Sequence, residues 1–180
     1  MLVILGGLGA YLLWIEPRTR SQAKTDQQTL YTIDSEQVVE IEVQSGVASI
    51  RLEREPGGPF GLAQDRAWRF SDRSDPVDQF RVQGVSLTGP TVRRTLEGVS
   101  DLGQFGLNPP QALVRLGLQD GAEVVLQLGN GSPDASGRYV LKAAEAPVYL
   151  VDDFWAQNML RLVSEAPVQA TPTPEATAAP

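Results

Sequence analysis

Apolar and polar residues alternate in two stretches of the chain, and each stretch contains a glycine turn. In the first, the apolar positions are Val39, Ile41 and Val43 before Ser45-Gly46, and Ala48, Ile50 and Leu52 after it. In the second, they are Val114, Leu116 and Leu118 before Asp120-Gly121, and Val124, Leu126 and Leu128 after it. A period of two around a short turn predicts a β-hairpin with one buried face. Asp120-Gly121 is expected to form a type I′ turn, which needs positive φ at both central residues.

The remaining patterns predict three more strands and two short helices. The strands are expected at "AWRF", where Trp68 and Phe70 share one side, and at "RYVLKA" and "APVYLVD". In "GPTVRRTLEGVSDL", Val92, Leu96 and Val99 recur at helical spacing behind Pro90, which suits a first helical position. A final helix is expected after Asp152 or Asp153, with Trp155, Met159 and Leu162 on its apolar face. The predicted class is α+β: antiparallel β-hairpins forming one or more sheets, packed by two short helices and preceded by one N-terminal transmembrane helix.

The first fifteen residues are uncharged and almost entirely apolar. A secretory signal, a buried core helix and a membrane anchor are the three interpretations. The signal lacks a basic leader, and a spanning helix needs roughly 17 to 25 residues, so the segment is short for an anchor. We favour a single membrane anchor, with Tyr11 and Trp14 at the membrane interface. Gly6 and Ala10, four residues apart, form a small face that would let another helix approach, although both types are common in membrane helices anyway.

The residues near the two ends of the chain favour opposite sides of the membrane for the domain. Arg18, Arg20 and Lys24 follow the apolar run and favour a cytoplasmic location by the positive-inside rule. The tail "APVQATPTPEATAAP" is typical of exported stalks and linkers, and it is too polar to fold. We favour an extracytoplasmic domain in the cell membrane. The predicted organisation is a transmembrane anchor (1–15), a juxtamembrane linker (16–33), an α+β globular domain (34–163) and a disordered Pro/Thr/Ala-rich tail (164–180).

The charge and composition of the chain limit the partners it can bind and the reactions it can catalyse. The formal charge of -7 disfavours nucleic acid as a partner, because phosphate binding needs a basic face. The chain has no histidine and no cysteine, so the commonest general base, the commonest transition-metal ligands and thiol nucleophiles are all missing. No pair of carboxylates stands out as an acid/base pair. We therefore predict no catalytic residues, no metal site and no cofactor.

A group of segments in fixed order resembles a known family. "IDSEQVVEIEV" leads to "WRF", followed by "QFGLNPP", a hairpin turning on Asp-Gly, "GNGSP", "RYVLK" and "PVYLVDD". This arrangement, over residues 33–162, is similar to the domain-of-unknown-function 4340 family (DUF4340). The resemblance implies an N-terminal membrane helix, an extracytoplasmic α+β domain and, for some members, association with ABC-type transporters. It implies no catalytic residues.

Two functions are consistent with these observations. The first is a non-enzymatic, single-pass interaction module, an accessory subunit of a larger membrane protein complex with integral membrane partners. The second is an extracytoplasmic binding module for a small molecule or a cell-envelope polymer, serving an ABC-type transporter. Its binding loops would be "EPGGPFG", the segment carrying Asp72, Asp75 and Asp78, and "GNGSPDASG". The adjacent Arg93 and Arg94 are a candidate anion site, although a solvated helix face explains them more simply.

Overall fold

A computed structural model describes residues 28–54 and 67–169, which contain one antiparallel sheet of eight strands and two α-helices. The spatial order of the strands is β3-β2-β1-β5-β6-β7-β8-β4. The strands are β1 (Val38–Ser45), β2 (Ala48–Glu53), β3 (Arg69–Phe70), β4 (Val92–Leu96), β5 (Ala112–Leu118), β6 (Glu123–Gly131), β7 (Arg138–Lys142) and β8 (Val148–Val151). The helices are α1 (Gln79–Gln83) and α2 (Asp153–Ser164), with 3-10 turns at Ser35–Gln37 and Gly103–Phe105.

The structure confirms both predicted hairpins and corrects two details. β1 and β2 pair through the turn Gly46-Val47, and the register shifts between Val38 and Glu40, so Val38 is fully buried while Val39 is not. The predicted type I′ turn at Asp120-Gly121 is wrong. Gly121 has a φ of 84°, but Asp120 does not share a positive φ. Residues 119–122 connect β5 and β6. The Leu118 N–H donates to the Ala122 carbonyl over 2.9 Å, the Gly121 N–H donates to the Leu118 carbonyl over 3.0 Å, and only the glycine needs the left-handed conformation.

The main core lies between one face of the sheet and α2. Asp152 caps the helix by accepting the Phe154 N–H over 2.9 Å, which confirms the predicted start. The helix buries Trp155, Ala156, Met159 and Leu162. Fully buried aliphatic side chains of the central strands meet them: Ile41, Val43, Val114, Leu116, Leu126 and Leu128. The predicted apolar faces of the hairpins and of the final helix are therefore the core-facing surfaces.

The segment "FGLNPP" packs against the end of β6. Phe105 contacts the ring of Tyr139 edge-on at 4.8 Å between centroids, and Leu107 is buried. A Cβ on Gly129 would lie 2.2 Å from the Phe105 carbonyl oxygen and 3.0 Å from Leu107. Gly129 is therefore needed for this close approach, and the segment has a structural task.

The helix predicted behind Pro90 is wrong, because Val92–Leu96 is strand β4. It pairs antiparallel with β8, matching Val92 with Val151 and Leu96 with Val148. Val92 and Leu96 are four residues apart, which fits both a helical period and a strand period. The segment forms a strand because it pairs with the side of β8 that would otherwise be open. The second helix is α1, in a segment where the sequence analysis predicted a loop.

The fold class is α+β, as predicted. Within the described residues, no helix is both long enough and apolar enough to span a bilayer. The predicted anchor, with Gly6, Ala10, Tyr11 and Trp14, and most of the predicted linker and tail lie outside those residues.

Candidate functional site

The outer side of β4 is one edge of the sheet, and neighbouring residues cover only its beginning. The Leu30 N–H donates to the Pro90 carbonyl over 2.9 Å, and the Val92 N–H donates to the Gln28 carbonyl over 2.7 Å. Thr29 and Thr91 face each other as an antiparallel bridge between these two bonds. The short segment 28–30 therefore satisfies the outward backbone groups of β4 as far as Val92.

Beyond Val92, the backbone of β4 is open at Thr95. The Asp152 N–H donates to the Thr91 carbonyl, so the even-numbered residues of β8 turn their backbone groups towards β4. Thr95 is opposite Tyr149, an odd-numbered residue of β8, whose backbone N–H and C=O point towards β7 and away from β4. The N–H and C=O of Thr95 consequently point away from the sheet. No described residue forms a hydrogen bond with them, which leaves one donor and one acceptor of the edge available.

A register shift in β4 places two arginines beside this open backbone. The pairing moves between Val92 and Arg94, so Arg93 is an extra residue, as in a β-bulge. Both arginines line a cleft of about 460 Å³. The other lining residues are Thr91, Val92, Ser136, Leu150 and Asp152. The sequence predicts this arginine pair on a helix, where the two side chains would not share a cleft with β8.

The two arginines differ in their partners. Arg93 Nη2 lies 2.8 Å from Asp152 Oδ2. The hydrogen bond from Arg93, together with the one from the Phe154 N–H, holds the pKa of the Asp152 carboxyl below its usual range. Arg94 is exposed and has no charged or hydrogen-bonding partner among the described residues. The edge therefore offers one neutralised cation and one unneutralised cation.

The loop between β6 and β7 closes one side of the cleft and is held by its own side chains. Asp134 accepts hydrogen bonds from Ser132 Oγ at 2.6 Å and Ser136 Oγ at 2.8 Å, which lower its pKa to about 2. The Gly137 N–H donates to Ser132 Oγ over 3.1 Å. These groups already form hydrogen bonds with one another inside the loop. The loop "GNGSPDASG" therefore forms one side of the cleft, chiefly through Ser136. Arg94 is the cation available to a ligand.

The opposite edge of the sheet is closed by a side chain at Trp68, the residue before β3. The Trp68 N–H donates to Gln79 Oε1 over 2.8 Å, and Gln79 Nε2 donates to the Trp68 carbonyl over 2.7 Å. One carboxamide thus satisfies both outward backbone groups of Trp68, as a neighbouring strand would. The Ser71 N–H donates to the Arg51 carbonyl, so the backbone of Phe70 also points outward, and no described residue forms a hydrogen bond with it. The Trp68 ring is buried, and the Arg54 guanidinium lies 4.8 Å from its centroid.

A second concave surface lies between α1 and the C-terminal end of α2. It is a groove of about 310 Å³ whose lining includes Phe80, Val85, Leu162 and Pro167. Phe80 is 85% exposed. Arg81 at the rim is paired with Glu165 at 3.1 Å. The groove is more apolar than the cleft at β4. Its lining also includes Arg161, which is exposed and forms no ion pair with a described residue.

The structure separates the loops that the sequence analysis grouped as a binding surface. Asp78 caps α1 by accepting the N–H groups of Phe80 and Arg81, and its own N–H donates to Pro167 beyond the end of α2. Ser136 lines the cleft near the start of α2. A 12-residue helix is about 18 Å long, so the aspartate segment and "GNGSPDASG" are at opposite ends of α2. "EPGGPFG" lies outside the described residues. Within the described ranges, no group of three acidic residues could hold a metal ion.

Of the surfaces described, the β4 edge is the strongest candidate. It combines unpaired backbone groups, an unneutralised arginine and an adjacent cleft. Sequence analysis missed the edge because strand order is not visible in a local pattern. The adjacent arginines were the available signal, since charged residues are common on edge strands.

These features define an α+β domain built on one antiparallel sheet, with one edge closed at Trp68 and the other open at Thr95. The chain belongs to the family described as "Domain of unknown function (DUF4340)", whose model matches residues 68–166. The match includes β3 to β8 and both helices, while the β1–β2 hairpin precedes it. No curated protein and no solved structure matches the chain.

Proposed function

We propose that the protein is a non-enzymatic, single-pass membrane-anchored interaction module, an accessory subunit of a larger membrane protein complex. The observation that carries this proposal is the open β4 edge. Soluble domains usually cover, shorten or block such edges, because unpaired backbone groups recruit other chains. Here the edge is open at Thr95 and flanked by Arg94, which is an arrangement suited to binding a partner.

The membrane assignment comes from the amino-acid sequence. The uncharged run 1–15 supplies the anchor, Tyr11 and Trp14 would lie at the interface, and Gly6 and Ala10 would allow an integral membrane partner to approach. The Pro/Thr/Ala-rich tail supports an extracytoplasmic domain. The family resemblance supports an ABC-type transporter as the kind of complex that the module serves.

The cleft favours a second function, an extracytoplasmic binding module for an anionic small molecule or cell-envelope polymer. Arg94 would be the main cationic contact, with Thr91 and Ser136 as hydrogen-bonding groups. The cleft has the size of a small-ligand site, for which about 300–1,000 Å³ is usual. Val92 and Leu150 are the apolar residues of its lining and the other five are polar or charged, which fits an anionic ligand.

Purification of the tagged full chain from gently solubilised native membranes tests the primary proposal. We expect it to elute with at least one integral membrane protein in fixed stoichiometry. Arg161→Glu is the matched control for a charge reversal at Arg94. It changes an exposed arginine on α2, far from β4, and should elute with the same partner. Elution of the wild-type chain as a lone monomer contradicts the interaction role. A monomer that carries a bound anion, detected by native mass spectrometry, favours the second function.

A further inference from the structure

The accessible part of the β4 edge has a defined chemistry. Its backbone offers the N–H and C=O of Thr95, three residues beyond the last outward bond at Val92. Its side chains offer Arg93, partly neutralised by Asp152, and Arg94, whose guanidinium has no partner within residues 28–54 and 67–169. An incoming segment must therefore supply backbone groups in an extended conformation and negative charge.

We propose that residues Arg93–Leu96 accept an acidic, extended segment of a partner protein, which adds to the sheet as a short outer strand. This inference rests on the proposed interaction role and names the partner's chemistry. Main-chain hydrogen bonds to Thr95 would fix the register, and a carboxylate opposite Arg94 would provide specificity and faster association. Segment 28–30 already pairs with the same edge in this way, so the added strand would continue an existing ladder.

Two other occupants fit the same surface less well. A second copy of the chain, paired β4 to β4, would bring the arginines of both copies together, and like charges across a strand pair are destabilising. An anionic lipid surface would match the arginines but would not satisfy the backbone of Thr95. Both occupants give distinct results in the experiment below.

The test uses the full chain in nanodiscs of zwitterionic lipid and a fluorescent ten-residue peptide that alternates threonine and glutamate. Two further peptides replace each glutamate by lysine, or keep the glutamates and carry N-methyl groups on alternate backbone amides. Fluorescence anisotropy gives the affinities, and hydrogen exchange followed by mass spectrometry locates protection. The protein variants are Arg94→Glu, Thr95→Pro and the matched control Arg161→Glu, each checked for folding by circular dichroism.

We expect the glutamate peptide to bind and to slow exchange in residues 93–96. The lysine and N-methylated peptides should bind about tenfold more weakly or worse, and so should Arg94→Glu with the glutamate peptide. Thr95→Pro removes the outward N–H without changing charge and should also weaken binding, whereas Arg161→Glu should stay within about twofold. If Thr95→Pro unfolds the domain, the N-methylated peptide tests the same hydrogen bonds on the wild-type chain.

Several outcomes overturn the proposal. Equal binding of the N-methylated peptide, or loss with Arg161→Glu alone, shows that no strand is added at β4. Capture by phosphatidylglycerol nanodiscs that Arg94→Glu abolishes, without glutamate-peptide binding, assigns the arginines to lipid. Dimerisation that masks residues 93–96 assigns the edge to a second copy, and no binding at millimolar peptide removes the site. If a partner co-purifies equally well with Arg94→Glu, the proposed function is supported but the proposed site at Arg93–Leu96 is not.

If the peptide binds but no membrane partner co-purifies, the site is supported and the proposed function is not.

Discussion

The two edges of the sheet differ in length, charge and cover. At β3 the strand is two residues long, and the Gln79 carboxamide occupies the outward N–H and C=O of Trp68. At β4 the strand is five residues long, and the outward groups of Thr95 have no partner among the described residues. Both edges face the same physical problem, since unpaired strands recruit other chains. At β3 one side chain covers the backbone of Trp68, while the outward groups of Phe70 have no hydrogen-bond partner among the described residues.

Because both edges keep an outward residue without a described partner, the charge of β4 is what indicates a use in binding. β4 carries Arg93 and Arg94, and charge on an edge strand opposes self-pairing while it allows pairing with a segment of opposite charge. The closed edge, in contrast, is combined with a buried tryptophan and with α1, so it belongs to the core. The predictions below test whether β3 contributes stability and β4 contributes binding.

The largest expected effect is at the closed edge. Trp68 is 5% exposed, so Trp68→Ala should lower the free energy of unfolding by about 3–5 kcal/mol, through lost burial and an unfilled cavity. Leu96→Ala is the matched change on β4, where the side chain is partly exposed, and it should cost about 1–2 kcal/mol. Urea unfolding of both variants measures the contrast. Equal losses would show that the two edges contribute alike to the core.

Removing the carboxamide should open the closed edge. Gln79→Ala deletes both hydrogen bonds to the Trp68 backbone and should cost about 1–3 kcal/mol, because partly buried polar groups lose their partners. Exchange of the Trp68 amide hydrogen should become faster. Gln83→Ala makes the same chemical change on the exposed side of α1 and should cost only a few tenths of a kcal/mol. A Trp68 amide that stays protected in Gln79→Ala is incompatible with a closing role for Gln79.

Sequence patterns predicted the elements better than they predicted the edges. The hairpins, the strand at Trp68 and Phe70, and the helix after Asp152 follow from local periodicity and capping. The closing contact joins Gln79 to Trp68 across a turn, and nothing in the local sequence distinguishes that glutamine from others. β4 was predicted as a helix because Val92 and Leu96 are four residues apart, which fits either period. Since only the strand order places β4 at an edge, the candidate site was not predictable from the sequence.

The contact between β4 and α2 should give the open side a modest acid sensitivity. Arg93 lowers the pKa of Asp152, so the stability from this pair is present above the unfolded pKa of about 3.9 and is lost as the pH falls through the lower folded pKa. The Arg93 and Asp152 side chains are 48% and 38% exposed, so solvent screening keeps the contribution below about 1 kcal/mol. Arg93→Gln should raise the pKa of Asp152, measured by carboxyl-carbon NMR titration. An unchanged titration would mean that capping of α2 alone sets this pKa.

The smallest expected effect on stability is at Arg94, which makes it the sharpest test of the comparison. Arg94 is exposed and unpaired among the described residues, so Arg94→Ala should change the free energy of unfolding by less than about 0.5 kcal/mol. The same variant removes a charge that opposes edge-to-edge pairing, so light scattering should show more self-association with rising concentration than in the wild type. Arg161→Ala removes a comparable exposed arginine from α2 and should not do so. If Arg94→Ala destabilised the fold as much as Gln79→Ala, β4 would be a structural edge like β3, and the argument for binding there would fail.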